Sequence, residues 1–111
     1  MTPIQDLAAV ETEKDILSLM MNKADTTIPK IRAALVVDDF YRADHRIIFQ
    51  TMLDMFKSGK HVDMSTLIPE LIAKGELDNV GGIMAVSAIN NKFLGVGALD
   101  TYLDIVKDRS R

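Results

Sequence analysis

Apolar residues recur at spacings of three and four from Val10 to Val106, and the alternation of a half-buried strand is nowhere sustained. A chain with that period has to bury its apolar stripes by packing helix on helix. The first segment opens at Thr2-Pro3, with threonine as N-cap and proline at the first helical position. A stronger signal starts near Val10, where Glu11 and Glu13 suit the positive end of a helix dipole. Ile16, Leu17, Met20 and Met21 then form a stripe that ends at Asn22. Asp25-Thr26-Thr27 reads as the next cap, with Pro29 in the first turn and Ile28, Ile31 and Leu35 on one face; this helix ends before Asp38. Asp44 reads as the N-cap of a third helix, in which Ile48, Phe49, Met52, Leu53 and Phe56 give a broad buried stripe and Gly59 the stop.

Asp63 caps a fourth helix bearing Leu67, Ile68, Leu71 and Ile72, with Gly75 after it. Pro69 conflicts with that span, since an interior proline costs about 3 kcal/mol, so the expected start is later, at Ser65 or Thr66. Gly81-Gly82 opens a fifth helix with Ile83, Val86 and Ile89, ending at Asn90-Asn91. Phe93 to Gly97 reads as a loop, and a sixth helix from Ala98 buries Leu99, Tyr102, Leu103 and Val106. The predicted fold is all-α, a compact orthogonal bundle of about six short helices without a sheet.

At 111 residues the chain fits one domain, with residues 1–8 expected as an N-terminal extension and 9–111 as the domain proper. The formal net charge of −3 lacks the basic excess that phosphate contacts require, so no direct nucleic-acid binding is expected. Arg42 and Arg46, and the tail Lys107, Arg109 and Arg111, read as solvated charges. The absence of cysteine excludes disulfides, thiolate metal sites and cysteine nucleophiles. No apolar run approaches the roughly 20 residues of a membrane span and no secretory signal is visible, which points to a cytoplasmic protein without membrane partners. Of the seven methionines, Met20, Met52 and Met84 read as core fillers, and Met55 and Met64 as candidates for an exposed, adaptable surface.

No catalytic, cofactor or metal site can be assembled from these residues. Ser58-Gly59-Lys60-His61 lacks the upstream glycine and the hydroxyl of a phosphate-binding loop. Gly81-Gly82 lacks the third glycine and preceding strand of a dinucleotide site, and reads as a tight turn into a helix. His45 and His61 lie on different elements, unlike the close pairs of zinc sites. His45 reads as a first-turn residue with a packing or hydrogen-bond contact, because its neighbour Asp44 faces elsewhere on the helix.

The ordered set Glu11-Thr12-Glu13, Leu17, Asp39-Phe40-Tyr41, His45-Arg46-Ile47-Ile48-Phe49, Asp63 with Thr66-Leu67, Gly75-Glu76-Leu77, Val80-Gly81-Gly82, and Tyr102 with Ile105-Val106 resembles the N-terminal domain of DnaB-type replicative DNA helicases. The resemblance covers about residues 9–109. It implies a non-catalytic helical head that joins other subunits in a collar on a hexameric ring and receives the C-terminal domain of primase or a helicase loader. ATP and Mg²⁺, and 5′ to 3′ unwinding, would belong to a separate motor domain. The family-motif residues it assigns here are Glu13, Phe40, Tyr41, His45, Phe49, Asp63, Thr66, Gly81 and Gly82, with structural roles: Phe40 and Tyr41 anchoring an interhelix loop, Asp63 capping, and the glycines allowing close approach. The chain departs from the pattern at Ala85, where the family usually has tyrosine, at Pro69, and in the loop Phe93-Leu94-Gly95-Val96-Gly97. That loop keeps open a second reading, a free-standing and phage-encoded head mimic that regulates a host helicase.

Overall fold

The structure, a computed structural model, describes the backbone of residues 3–110 and the side chains of residues 7–110. The expected N-cap at Thr2 and the tail residue Arg111 lie outside the described residues. The described residues form six α-helices: α1 Pro3–Asn22, α2 Ala24–Ala34, α3 Ala43–Lys57, α4 Met64–Ala73, α5 Gly82–Asn90 and α6 Leu99–Ser110. Single 3₁₀ turns at Val37–Asp39 and Asp78–Val80 precede α3 and α5. Among the described residues there is no strand, and no helix is long and apolar enough to cross a membrane.

The two segments expected near the N-terminus are one helix. Nothing between Ile4 and Asn22 breaks a helix, and α1 runs for 20 residues, so it is not short. It packs against α2, α3, α5 and α6, which explains why Ile16, Leu17, Leu19, Met20 and Met21 are all buried and leave little polar face. A helix buried on several sides loses the clean one-sided stripe. Two polar side chains in this run have work to do. Ser18 Oγ and Asn22 Nδ2 both donate to the Asn90 carbonyl, at 3.1 and 3.0 Å. They satisfy an orphan acceptor at the C-terminus of α5 and fix α5 to α1.

Only Lys23 separates α1 from α2, and α2 therefore begins at Ala24, with Lys23 at the N-cap position. Asp25 lies in the first turn rather than at the cap, and Pro29 is the sixth residue of α2 instead of a first-turn residue. Pro69 holds the same position in α4, which starts at Met64 and not later. Each proline removes the N–H that would bond the carbonyl four residues earlier. Those carbonyls belong to Asp25 and Ser65, both exposed, so water can take the bond, and both helices continue through their prolines.

The core joins all six helices. Phe40 and Phe49 are fully buried with ring centroids 4.6 Å apart and planes tilted by 34°. Ile48, Met52 and Leu53 of α3 fall on the same buried stripe, as the period predicts. Two methionines exchange roles relative to the sequence reading: Met84 is 84% exposed and Met55 only 3%. Ile83 and Ile72, expected in the core, are also exposed, whereas Met64 packs partly against it.

Candidate functional site

Five family-motif residues converge where α1 crosses the start of α3. Glu13, from the middle of α1, is completely buried, and His45, in the first turn of α3, is 1% exposed. Glu13 Oε1 lies 2.7 Å from His45 Nδ1, and Glu13 Oε2 accepts the Tyr41 backbone N–H at 2.6 Å. One carboxyl group thus ties three elements together: α1, the loop before α3, and α3. Removal from water makes such a group costly unless each oxygen is bonded, and here both are. Arg46 Nε donates to the Phe40 carbonyl at 2.6 Å, closing the loop on its other side. The Phe40 ring fills the space beneath, against Phe49.

Tyr41 is half exposed, and the Arg109 guanidinium sits 4.3 Å from its ring centroid, a stacked cation–π arrangement. Ser110 Oγ donates to Asp39 Oδ1 at 2.8 Å, so the end of α6 is fastened to the same loop. Arg42 is not merely solvated: its guanidinium meets Asp44 through two bonds of 2.9 Å. Asp44 is in the first turn of α3, two positions past the N-cap residue Arg42. Partial burial raises the Asp44 pKa, but the Arg42 hydrogen bond and its neighbours outweigh that and leave it below the usual carboxylate range. The basic residues read from sequence as free are thus engaged at Arg42, Arg46 and Arg109.

Asp63 and Thr66 form a second group, a reciprocal cap on α4. Asp63 Oδ1 accepts the Thr66 N–H at 3.0 Å and Thr66 Oγ1 accepts the Asp63 N–H at 3.0 Å. Hydrogen bonds from Ser65, then the Thr66 amide and His61, hold the Asp63 carboxyl below the usual range against desolvation. Asp63→Ala is expected to cost about 1 kcal/mol at pH 7 in urea unfolding. The folded pKa is depressed below the unfolded value of about 3.9, so the carboxylate's contribution is complete above about pH 4 and is lost as pH falls through the lower folded value. Asp63→Asn is expected to keep most of the cap while flattening that acid limb.

Gly81 and Gly82 form the third group. Both have positive φ, 97° and 79°, where the chain turns from the 3₁₀ segment into α5. A Cβ on Gly81 would lie 2.7 Å from the Ala85 Cβ. Gly81→Ala is therefore expected to cost about 2–4 kcal/mol, from the left-handed backbone and the overlap together. Adding Ala85→Gly should recover only the overlap part in the same unfolding assay.

None of the three groups is arranged for chemistry on a substrate. A cleft of about 360 Å³ reaches the edge of His45 between α1 and α5, but its ionic side chains neutralise one another: Lys14 pairs with Glu11, Lys92 with Glu11 and Asp15, and Arg42 with Asp44. Among the described residues no group of three His, Cys, Asp or Glu could hold a metal. Gly59-Lys60 follows the C-terminus of α3, whereas a phosphate loop leads into a helix N-terminus, where free N–H groups meet the anion.

The structure also brings in residues the sequence reading did not single out. Lys74 Nζ donates to the buried Thr51 hydroxyl at 2.8 Å. Ser18 makes the tie to Asn90 described above, while Arg46, Arg109 and Asn22, read from sequence only as solvated charges and a helix end, make the others. Ser18 carried a signal in its polarity within an apolar run; Lys74 did not, since nothing local links it to Thr51, 23 residues away.

The comparisons with known proteins agree with this geometry. A profile described as "DnaB-like helicase N terminal domain" matches residues 5–108. Replicative DNA helicase DnaB of Geobacillus stearothermophilus is 29% identical over 92% of this chain, which spans 22% of the relative's length. The Pasteurella multocida DnaB is 36% identical over 68% of the chain and 16% of its own length. The crystal structure of the N-terminal domain of DnaB helicase from Mycobacterium tuberculosis superposes with a TM-score of 0.85 at 28% identity, covering 98% of this chain and 75% of the other. With the helical architecture and the residues that lock α1 to α3, these matches establish that the chain belongs to the DnaB-like helicase N-terminal domain family.

Proposed function

We propose that this chain serves as the non-catalytic head of a replicative helicase, an assembly and docking module that contacts other helicase subunits and the C-terminal domain of primase or a helicase loader. The observation that carries the reading is where the family-motif residues lie. Glu13, Phe40, His45 and Phe49 are buried and hold the fold, which leaves recognition to the outer surface and chemistry to a part of the parent protein outside this chain. That the chain spans about a fifth of the first relative's length supports assigning ATP hydrolysis and unwinding to such a part.

The test is a titration of the purified 111-residue chain against the primase C-terminal domain and against the full helicase ring of the same organism, followed by calorimetry and size-exclusion chromatography. Saturable binding to either partner, with no nucleotide turnover by the chain alone, is expected. Absence of binding to both would overturn the reading.

A further inference from the structure

Between α2 and α3 runs an open groove of about 650 Å³. Leu35 and Leu53 form its floor, with little exposure, and Val36 stands at its edge 63% exposed. Arg32 and Lys57 project from opposite helices at the rim. Among the described residues neither cation forms an ion pair, although most other basic groups near clefts do. Arg32 is held in place by the Phe56 ring, 5.7 Å from its guanidinium carbon, so its charge is positioned without being neutralised. Beside the rim Gln50 donates to Asp54 Oδ1 at 2.8 Å; that carboxylate keeps its charge but forms an ion pair with neither cation. On a chain of net charge −3, an apolar trough between two free cations is a local reversal of sign.

We propose that this groove docks an acidic amphipathic segment of another protein, seating its apolar side chains on Leu35, Val36 and Leu53 and its carboxylates against Arg32 and Lys57. This deepens, and rests on, the docking-module reading. The chemistry favours a foreign segment over a second copy. The chain's own acidic helix face, Asp100 and Asp104 on α6, has only the partly exposed Ile105 beside Asp104, too little apolar surface for a trough of this size. A nucleic-acid strand would need stacking rings, and none of the described residues lining the groove is aromatic; the nearby Phe56 ring is faced by Arg32.

The probe is a fluorescein-labelled synthetic helical peptide with leucines on one face and glutamates flanking them, beside a matched peptide with lysine in place of glutamate. Both are titrated by anisotropy into the full chain and mapped by amide chemical shifts. Expected results are saturable binding of the acidic peptide, shifts concentrated on Ala33, Val36, Gln50 and Leu53, and clear weakening from about 50 to about 300 mM salt. Arg32→Glu/Lys57→Glu, a pair of exposed changes whose folding is checked by circular dichroism, should weaken the acidic peptide about tenfold and favour the lysine peptide. Failure of the acidic peptide to bind, shifts elsewhere, or equal binding of both peptides would overturn the proposal. So would a concentration-dependent dimer abolished by the same pair of changes, which would give the groove to a second copy. The variant is also titrated against the primase domain and loader: unimpaired binding there sinks the groove while leaving the docking reading standing.

Discussion

Replacing Glu13 with alanine is expected to destabilise the domain by about 3–5 kcal/mol, the range for removing one member of a buried ionic or hydrogen-bonded pair. The carboxyl is fully buried and serves both His45 Nδ1 and the Tyr41 amide. Its loss strands two polar groups at once, in a site sealed by α1 and α3. Against a total stability of about 5–15 kcal/mol for a domain this size, that loss is enough to populate the unfolded state. Glu13→Gln separates charge from hydrogen bonding. The amide oxygen can still accept from Tyr41 and the amide nitrogen can still donate to the ring, so glutamine should lose clearly less than alanine. The readout is guanidinium unfolding followed by circular dichroism. An alanine variant within about 1 kcal/mol of the parent would show that the pair is incidental.

Phe49→Ala should match that loss, at about 3–5 kcal/mol, by a different mechanism. Phe49 has no exposed surface and stacks on the equally buried Phe40. Truncation removes the transfer energy of the ring and leaves a void bounded by α1 and the loop before α3, which Glu13 and Arg46 prevent from collapsing. Phe49→Leu, which refills part of the space, should restore more than half of the lost stability in the same measurement. If leucine and alanine were equally damaging, the aromatic pairing and not the filled volume would be the controlling term.

The stripes of α3 and α6 were legible because each of these helices buries one face, and Ile48, Met52, Leu103 and Val106 keep the helical period. Where a helix is apolar all round, periodicity cannot choose a face. In α5, which presents Ile83, Met84, Val86 and Ile89 within nine residues, Val86 and Ile89 turn inward while Met84 goes to solvent. Helix starts were read from side chains able to cap, which served for Asp63. It failed at Arg42 and Lys23, which occupy cap positions without any side-chain cap bond; there the preceding turn of chain sets the start. Pro69 was judged by its interior cost and Pro29 was placed in a first turn, and the exposure of the carbonyls they orphan was invisible in one dimension. The family motifs pointed to Glu13 and His45 separately. Their direct bond joins positions 32 residues apart, a pairing that no local spacing encodes.

The most extensive interhelix packing among the described residues is between α1 and α6, the first and the last of the six described helices. A nascent chain therefore carries Ile16, Leu17 and Met20 uncovered until Leu103 and Val106 have been made. Closing the core must wait until α6 has been made, which places this domain among small helical proteins whose folding is paced by a distant partner and not by its local turns.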